Sequence, residues 1–129
     1  KALLSKVHHA LKPNGLFIFD VFTEKTLMGK RDRTSWSYHE NGGFWSDKPH
    51  LCLEAEYYYE NNTVKVDKTV VITEDSIHEY LIWDTVFTQE TLLNEVTPFG
   101  FQMHSIYDDV CGRQYTGEAD TLCIVLKKV

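Results

Sequence analysis

The spacing of apolar residues divides the chain into helical segments and strands. Leu3, Val7 and Leu11 recur every four positions, which is the spacing of one helix face, and Pro13 ends that helix. The next segment, residues 16–22, is an almost continuous apolar run between turn signals. Such a run is typical of a strand that is covered on both faces in a parallel sheet. Because such a strand needs neighbours, we expect its partners upstream, in a longer protein of which this chain is the trailing half.

In the middle of the chain the apolar period changes to two, which is the period of a half-buried strand. Residues 51–59 alternate between an apolar, aromatic face and a polar face. Residues 64–72 predict a return strand, in which the alternation slips at Asp67-Lys68 and suggests a β-bulge. Residues 77–87 predict a third strand with the same alternation. Together the three segments predict an antiparallel meander.

The segments that flank this meander are predicted from their capping and turn residues. Residues 23–28 favour a short helix, and residues 30–35 favour an exposed loop. The aromatic segment 36–45 fits either a hairpin or an irregular lid. Thr88 predicts the N-cap of a later helix. Because Thr91 stands where a capping box would have Glu, we expect only half of that motif.

Two further strands are predicted near the end of the chain. Residues 103–107 have the pattern of a strand, and residues 121–126 form an apolar run of the buried type. The intervening residues 108–120 are polar and predict a surface loop.

Composition and charge exclude several classes of function. The 129 residues are 43% hydrophobic and 25% charged, which is the balance of a globular protein of one domain's size. The net charge is −6, and the basic residues are scattered, so we expect no nucleic-acid partner. No apolar run reaches the ~20 residues that span a bilayer, so we expect no membrane partner. Three cysteines, an odd number, without a signal-peptide pattern favour a reducing, cytoplasmic location.

The histidines and cysteines predict no metal site. The six histidines show neither HxxxH nor HExxH spacing, and the cysteines form no CxxC pair. Cys52, Cys111 and Cys123 carry no flanking nucleophile motif either, so we interpret them as packing residues.

Two motifs resemble parts of a known enzyme fold. Residues 11–20, Leu-Lys-Pro-Asn-Gly-Leu-Phe-Ile-Phe-Asp, resemble the segment that enters the fifth strand of class I, Rossmann-like S-adenosylmethionine-dependent methyltransferases. Residues 87–93, Phe-Thr-Gln-Glu-Thr-Leu-Leu, which lead to Gly100-Phe101, resemble a later segment of the same fold. Taken together, the chain resembles the C-terminal half of such an enzyme and is similar to uncharacterised bacterial members.

This resemblance implies an α/β fold, namely the C-terminal portion of a Rossmann-like methyltransferase sheet with an inserted antiparallel β meander. Residues 1–35 would supply the helix, the buried fifth strand and a short helix of the core. Residues 36–87 would form the aromatic segment and the insertion on the substrate side. Residues 88–129 would supply the last helix and the closing pair, the sixth and seventh strands.

The resemblance also implies that the cofactor is bound mainly by a part of the protein outside these residues. The glycine-rich loop and the acidic ribose-binding residue of the family do not occur in these 129 residues. We therefore expect S-adenosylmethionine to bind the full-length protein, and we expect no cofactor to bind this fragment. Alone, the fragment is predicted to be inactive.

Aromatic residues are the candidates for binding a small-molecule methyl acceptor. Ring faces attract cations, and apolar walls exclude water from a methyl transfer. The candidate acceptor-binding rings are Trp36, Tyr38, Phe44, Trp45 and Trp83. The same rings can instead be core or lid packing.

Three polar residues are further candidates, each with a simpler interpretation. Arg113 and Tyr115 can reach an anionic or phenolic acceptor, or they can be solvated loop residues. Asp20 ends a predicted buried strand, where α/β sheets place their ligands, so we assign it to cofactor binding; alternatively, it caps a turn. No residue is assigned a catalytic role.

Two hypotheses of function remain open from the sequence. The first is a methyltransferase acting on a small molecule, with this half forming the acceptor pocket. The second is a non-catalytic module that holds a small ligand between an antiparallel sheet and an aromatic lid. In either case, an unpaired apolar edge at residues 16–22 would favour a homodimer of the fragment.

Overall fold

The computed structural model describes all residues, 1–129, and contains two α-helices and seven β-strands. The helices are α1 (Ala2–Ala10) and α2 (Gln89–Val96). The strands are β1 (Leu16–Phe22), β2 (Arg33–His39), β3 (His50–Tyr59), β4 (Val64–Ile72), β5 (Ile77–Thr85), β6 (Phe101–Tyr107) and β7 (Thr121–Lys128). Short 3-10 turns lie at Glu24–Thr26 and Thr97–Phe99. Neither α-helix is both long and apolar enough to cross a bilayer.

The chain folds as two compact units, each with its own antiparallel sheet. The first unit comprises Lys1–Met28 and Val86–Val129, and the second unit comprises Gly29–Thr85. The second unit is therefore an insertion in the sequence of the first. Helices and sheets together confirm the predicted α/β class.

The first unit is built around β7, which lies between β1 and β6 in the sheet order β1-β7-β6. Leu122, Ile124 and Leu126 of β7 are completely buried. Leu92 and Val96 of α2 belong to the same core cluster. Because five consecutive residues of β7 are buried, its apolar run has no alternation. The prediction of a buried-type strand at residues 121–126 is confirmed.

The prediction that residues 16–22 form a strand is confirmed, and its cover by upstream partners, which lie outside these residues, stays a prediction. Strand β1 pairs only with β7, and its residues alternate between exposed and half-buried. Leu16, Ile18 and Phe22 are exposed, whereas Phe17 packs against the core. An unbroken apolar run looks the same whether its second face is covered or not, so the pattern could not make this distinction.

Helix α2 begins with a complete capping box rather than the predicted half. The Thr88 hydroxyl accepts a hydrogen bond from the backbone N–H of Thr91 at 3.1 Å. The Thr91 hydroxyl accepts one from the backbone N–H of Thr88 at 2.9 Å. A threonine therefore replaces the usual Glu, because its shorter side chain still reaches the N-cap nitrogen.

The second unit is the predicted meander, extended by one strand to the order β2-β3-β4-β5. Residues 30–35 are therefore not a loop throughout, since β2 begins at Arg33. Strands β2 and β3 are joined by residues 40–49, so segment 36–45 is half strand and half irregular loop. The predicted helix at 23–28, in the first unit, is reduced to one 3-10 turn at Glu24–Thr26.

Strand β4 is regular, so the predicted bulge at Asp67-Lys68 is wrong. Lys68 occupies the same face as Val66 and Val70 and forms an ion pair with Glu79 on β5 at 2.7 Å. A paired lysine on an apolar face produces the apparent slip in the pattern. The irregularity that the structure contains lies in the first unit, between Met103 and Ser105.

Candidate functional site

The sheet of the second unit has two chemically different faces, which follow from the strand register. Arg33, Glu56 and Asp67 occupy neighbouring positions on three adjacent strands, so their side chains share one face. We call this the polar face. Trp36 and Leu53 are likewise opposite each other, and their side chains point to the other face, which we call the aromatic face. The alternation predicted for residues 51–59 is confirmed by this register.

A groove of about 250 Å³ lies on the polar face. It is lined by charged, hydroxyl-bearing, aromatic and aliphatic residues: Arg33, Ser35, Trp45, Glu54, Ala55, Glu56, Asp67, Lys68, Thr69 and Ile82. A mixed lining of this kind is typical of sites that orient a polar small molecule against an apolar wall.

One end of the groove holds a charge-assisted hydrogen-bond network. Arg33 donates two hydrogen bonds to the Glu56 carboxylate, from Nε at 2.8 Å and from an Nη atom. These bonds hold the pKa of Glu56 at about 2, well below its usual value. The Tyr58 hydroxyl donates to the same carboxylate at 2.7 Å. Burial, together with this bond, raises the pKa of Tyr58 to about 12, so Tyr58 stays a hydrogen-bond donor at neutral pH.

The two remaining carboxylates of the groove differ in how well they are neutralised. Asp67 forms an ion pair with Lys65 at 2.9 Å. Glu54 is exposed and accepts a long hydrogen bond from the Ser35 hydroxyl at 3.4 Å. Glu54 therefore gives the groove a local negative charge that a cationic ligand can neutralise.

Trp45 forms the aromatic wall of the groove. It belongs to the loop between β2 and β3, and its ring stacks on Tyr80 with centroids 4.7 Å apart. Phe44 contacts the Trp45 ring edge-on at 5.0 Å but is 92% exposed. Stacking on Tyr80 fixes the orientation of the Trp45 ring, so its ring face is available as a cation-binding surface.

The five aromatic candidates do not converge on one pocket. Trp45 lines the polar-face groove, with Phe44 beside it. Trp36, Tyr38 and Trp83 lie on the aromatic face, where each is more than half exposed. A shallow depression of about 420 Å³ on that face is lined by Trp36 and by Leu53, Tyr57 and Val70, among others.

The three polar candidates all belong to the first unit. Arg113 is exposed and pairs with Asp109 at 3.4 Å. Tyr115 is half-buried against the core and lines a hollow of about 60 Å³ together with Thr23. Asp20 is exposed opposite Cys123, where its charge adds to the effect of burial in raising the pKa of that thiol.

The hollow beside the end of β1 is too small for a nucleoside cofactor. It encloses about 60 Å³, whereas drug-sized ligands occupy sites of roughly 300–1,000 Å³. This hollow therefore does not by itself accommodate S-adenosylmethionine.

Sequence inspection missed a cluster formed by His39, His50 and Cys52 on the polar face. One ligand atom from each residue lies within 4.8 Å of the other two. No spacing motif marks these residues, because ten loop residues separate the two histidines in the chain. The signal lies in the β2–β3 register, which places His39 opposite His50 and Ser37 opposite Cys52.

Comparisons with known proteins give matches among solved structures. No family model and no curated protein matches the chain. The CcbJ methyltransferase of Streptomyces caelestis matches 98% of the chain with a TM-score of 0.65 at 12% identity. An S-adenosylmethionine-dependent methyltransferase of Clostridium acetobutylicum matches 97% with a TM-score of 0.67 at 11% identity.

The chain spans about half the length of these two structures, 51% and 49% respectively. At such low identity the likeness shows the fold alone. The chain thus has the fold of part of a methyltransferase, and the expected methyltransferase-like α/β class is confirmed at that general level.

Proposed function

We propose that this chain is the C-terminal, substrate-side part of an S-adenosylmethionine-dependent methyltransferase that acts on a small molecule. The observation that carries the proposal is the structural match, which extends over both units and nearly the whole chain. The sheet order β1-β7-β6 supports it, because the family resemblance implies a fifth strand followed by a closing pair. The exposed edge of β1 is the position at which a further strand of such a sheet would pair.

The polar-face groove is the proposed acceptor site, and an amine is the proposed acceptor class. The Trp45 ring offers a cation-binding face, and Glu54 supplies a negative charge that lacks a strong partner nearby. Glu56 is already neutralised by Arg33, so it holds the wall in place rather than binding the ligand. An ammonium group between Trp45 and Glu54 satisfies both.

Methyl transfer to an amine requires that the acceptor be positioned and that its nitrogen lose one proton. S-adenosylmethionine, when bound, would supply the methyl group to the amine nitrogen. Trp45 orients the acceptor and excludes water from one side. A bound ammonium has no lone pair, so it must lose one proton before its nitrogen can accept the methyl group, and the Glu54 carboxylate, which lines the groove, accepts that proton.

The cofactor site is proposed to lie in the part of the protein that precedes this chain. Calorimetry with S-adenosylmethionine tests this division on two samples, the 129-residue chain and the product of the complete reading frame that contains it. We expect a micromolar complex with the complete product and no such complex with the chain alone. A micromolar complex with the chain alone contradicts the proposal, and so does a complete product that binds no cofactor.

A non-catalytic binding module is the second candidate. It is favoured by one observation, that the polar-face groove is lined entirely by residues of the second unit. A complete product that binds amines in the groove but forms no S-adenosylhomocysteine would establish this alternative.

A further inference from the structure

The His39, His50 and Cys52 cluster has the composition of a metal site. Two imidazoles and one thiolate form a donor set that Zn²⁺ binds well, with a fourth position left for water or another ligand. The cluster joins the last residue of β2 to the first residues of β3, on the polar face of the second unit. It lies outside the set of residues that line the proposed acceptor groove.

His50 is already oriented as a metal ligand. Its Nδ1 donates to the Lys48 carbonyl at 2.8 Å, so the proton is on Nδ1 and Nε2 carries a lone pair. That Nε2 atom is buried and has no hydrogen-bond partner, in a residue that is 1% exposed. A buried acceptor without a partner destabilises the folded state, so a ligand at this atom relieves that cost. Metal-bound histidines usually donate their other N–H in this way.

The other two residues of the cluster, His39 and Cys52, lie close to the His50 ring. The rings of His39 and His50 stack with centroids 4.8 Å apart. Cys52 is 1% exposed, and Ser37 lies opposite it in the register with its hydroxyl 3.0 Å from His39 Nε2. Tetrahedral zinc requires ligand atoms about 3.3–3.7 Å apart, by the usual Zn–N and Zn–S lengths. The present ligand atoms lie within 4.8 Å of one another, so metal binding requires them to move closer together.

The loop that carries Trp45 packs directly on the cluster. A Cβ at Gly43 would lie 3.3 Å from His39 Nδ1 and 3.7 Å from His50 Cε1, so the Gly43 backbone covers both rings. A metal that fixes the rings therefore also fixes the support of this loop. We propose that His39, His50 and Cys52 bind one zinc ion, which orders the loop between β2 and β3.

The test uses the 129-residue chain without a histidine tag, stripped with a chelator and titrated with Zn²⁺ by calorimetry. We expect one equivalent to bind and the melting temperature to rise with free zinc. With Co²⁺ we expect a sulfur-to-metal charge-transfer band and the intense visible bands of tetrahedral cobalt. In Cys52→Ser the charge-transfer band is lost and the dissociation constant rises more than about 100-fold.

Matched variants separate the site from other histidines and cysteines. Cys111→Ser and His78→Gln change exposed residues outside the cluster and should bind zinc as the wild type does. Because Cys52 is buried, His39→Asn provides a second variant at a half-buried position, with the same expected loss of affinity. Unchanged zinc affinity in both Cys52→Ser and His39→Asn overturns the proposal. Failure of the wild type to bind one equivalent overturns it equally, and would leave the histidine pair as packing.

Discussion

The two sheets of this chain bury their apolar residues to very different degrees. In the first unit, β7 is covered on both faces, and its inward side chains are completely buried with those of α2. In the second unit, β5 has no buried residue, and the aromatic face remains largely exposed. Hydrophobic burial therefore contributes more to the stability of the first sheet than to that of the second. An exposed face that is rich in aromatic rings and charges is suited to binding.

Truncation of a leucine in each sheet should show the largest contrast. Leu126→Ala removes a completely buried side chain from β7 and should lower the free energy of unfolding by about 3 kcal/mol. Leu81→Ala removes a side chain that is 51% exposed on β5 and should cost less than about 0.5 kcal/mol. Urea denaturation of both variants measures the difference. Equal losses would contradict the assignment of the core to the first unit.

The Glu56 network should give the second unit a pH-dependent stability. The folded pKa of about 2 lies below the ordinary value of 4.5, so the contribution is complete above pH 4.5 and lost as the pH falls towards 2. Glu56→Gln should lower the free energy of unfolding at pH 6 by about 1.5 kcal/mol, after allowance for the exposed Arg33 partner.

Denaturation of wild type and Glu56→Gln between pH 6 and pH 2 tests this expectation. The difference between the two proteins should shrink steadily as the pH falls towards 2. Lys48→Gln is the control, because its ion pair with Asp75 is exposed at both ends and should contribute little to stability. A Glu56→Gln difference that does not change with pH would contradict the role of the Arg33 bonds.

The capping box should stabilise the first unit by a smaller amount. Thr88→Ala removes the acceptor of the Thr91 N–H and should cost about 1 kcal/mol. Thr88→Ser keeps the oxygen and should restore nearly all of that loss. Thermal unfolding followed by circular dichroism distinguishes the two variants, and equal melting temperatures would show that the hydroxyl does not act as a cap.

The exposed edge of β1 should affect association rather than stability. We expect the 129-residue chain to self-associate through this edge, and Ile18→Lys to favour the monomer by placing a charge there. Ile77→Lys, at an exposed position of β5, should leave association unchanged. Sedimentation equilibrium measures the mass of each protein. A wild type that stays monomeric at high concentration would remove the reason to regard β1 as a pairing edge.

The sequence predicted the features that depend on local period and capping. The period of two in residues 51–59 correctly separated the faces of β3, and Thr88 marked the start of α2. The sequence pattern was misleading where the role of a residue depends on a partner that is distant in the chain. Lys68 resembled a bulge because its partner Glu79 lies on another strand.

The candidate site was predictable only in part, for the same physical reason. Composition identified Trp45 as an acceptor-binding candidate, but it could not separate Trp45 from Trp36, which the register places on the opposite face. The contribution of Glu54 and the clustering of His39 with His50 also depend on strand register. Register is set by long-range pairing and turn geometry, which residue spacing alone does not reveal.

The assignment of methyl transfer to the polar face is tested most directly by kinetics on the product of the complete reading frame. S-adenosylhomocysteine formation would be measured with an amine acceptor for the wild type, Trp45→Ala and Trp36→Ala. We predict that Trp45→Ala raises the KM for the acceptor about two- to thirtyfold without weakening cofactor binding, since a cation–π contact is worth ~0.5–2 kcal/mol. Trp36→Ala should match the wild type. No S-adenosylhomocysteine from the wild type, or equal losses in the two variants, would contradict the assignment.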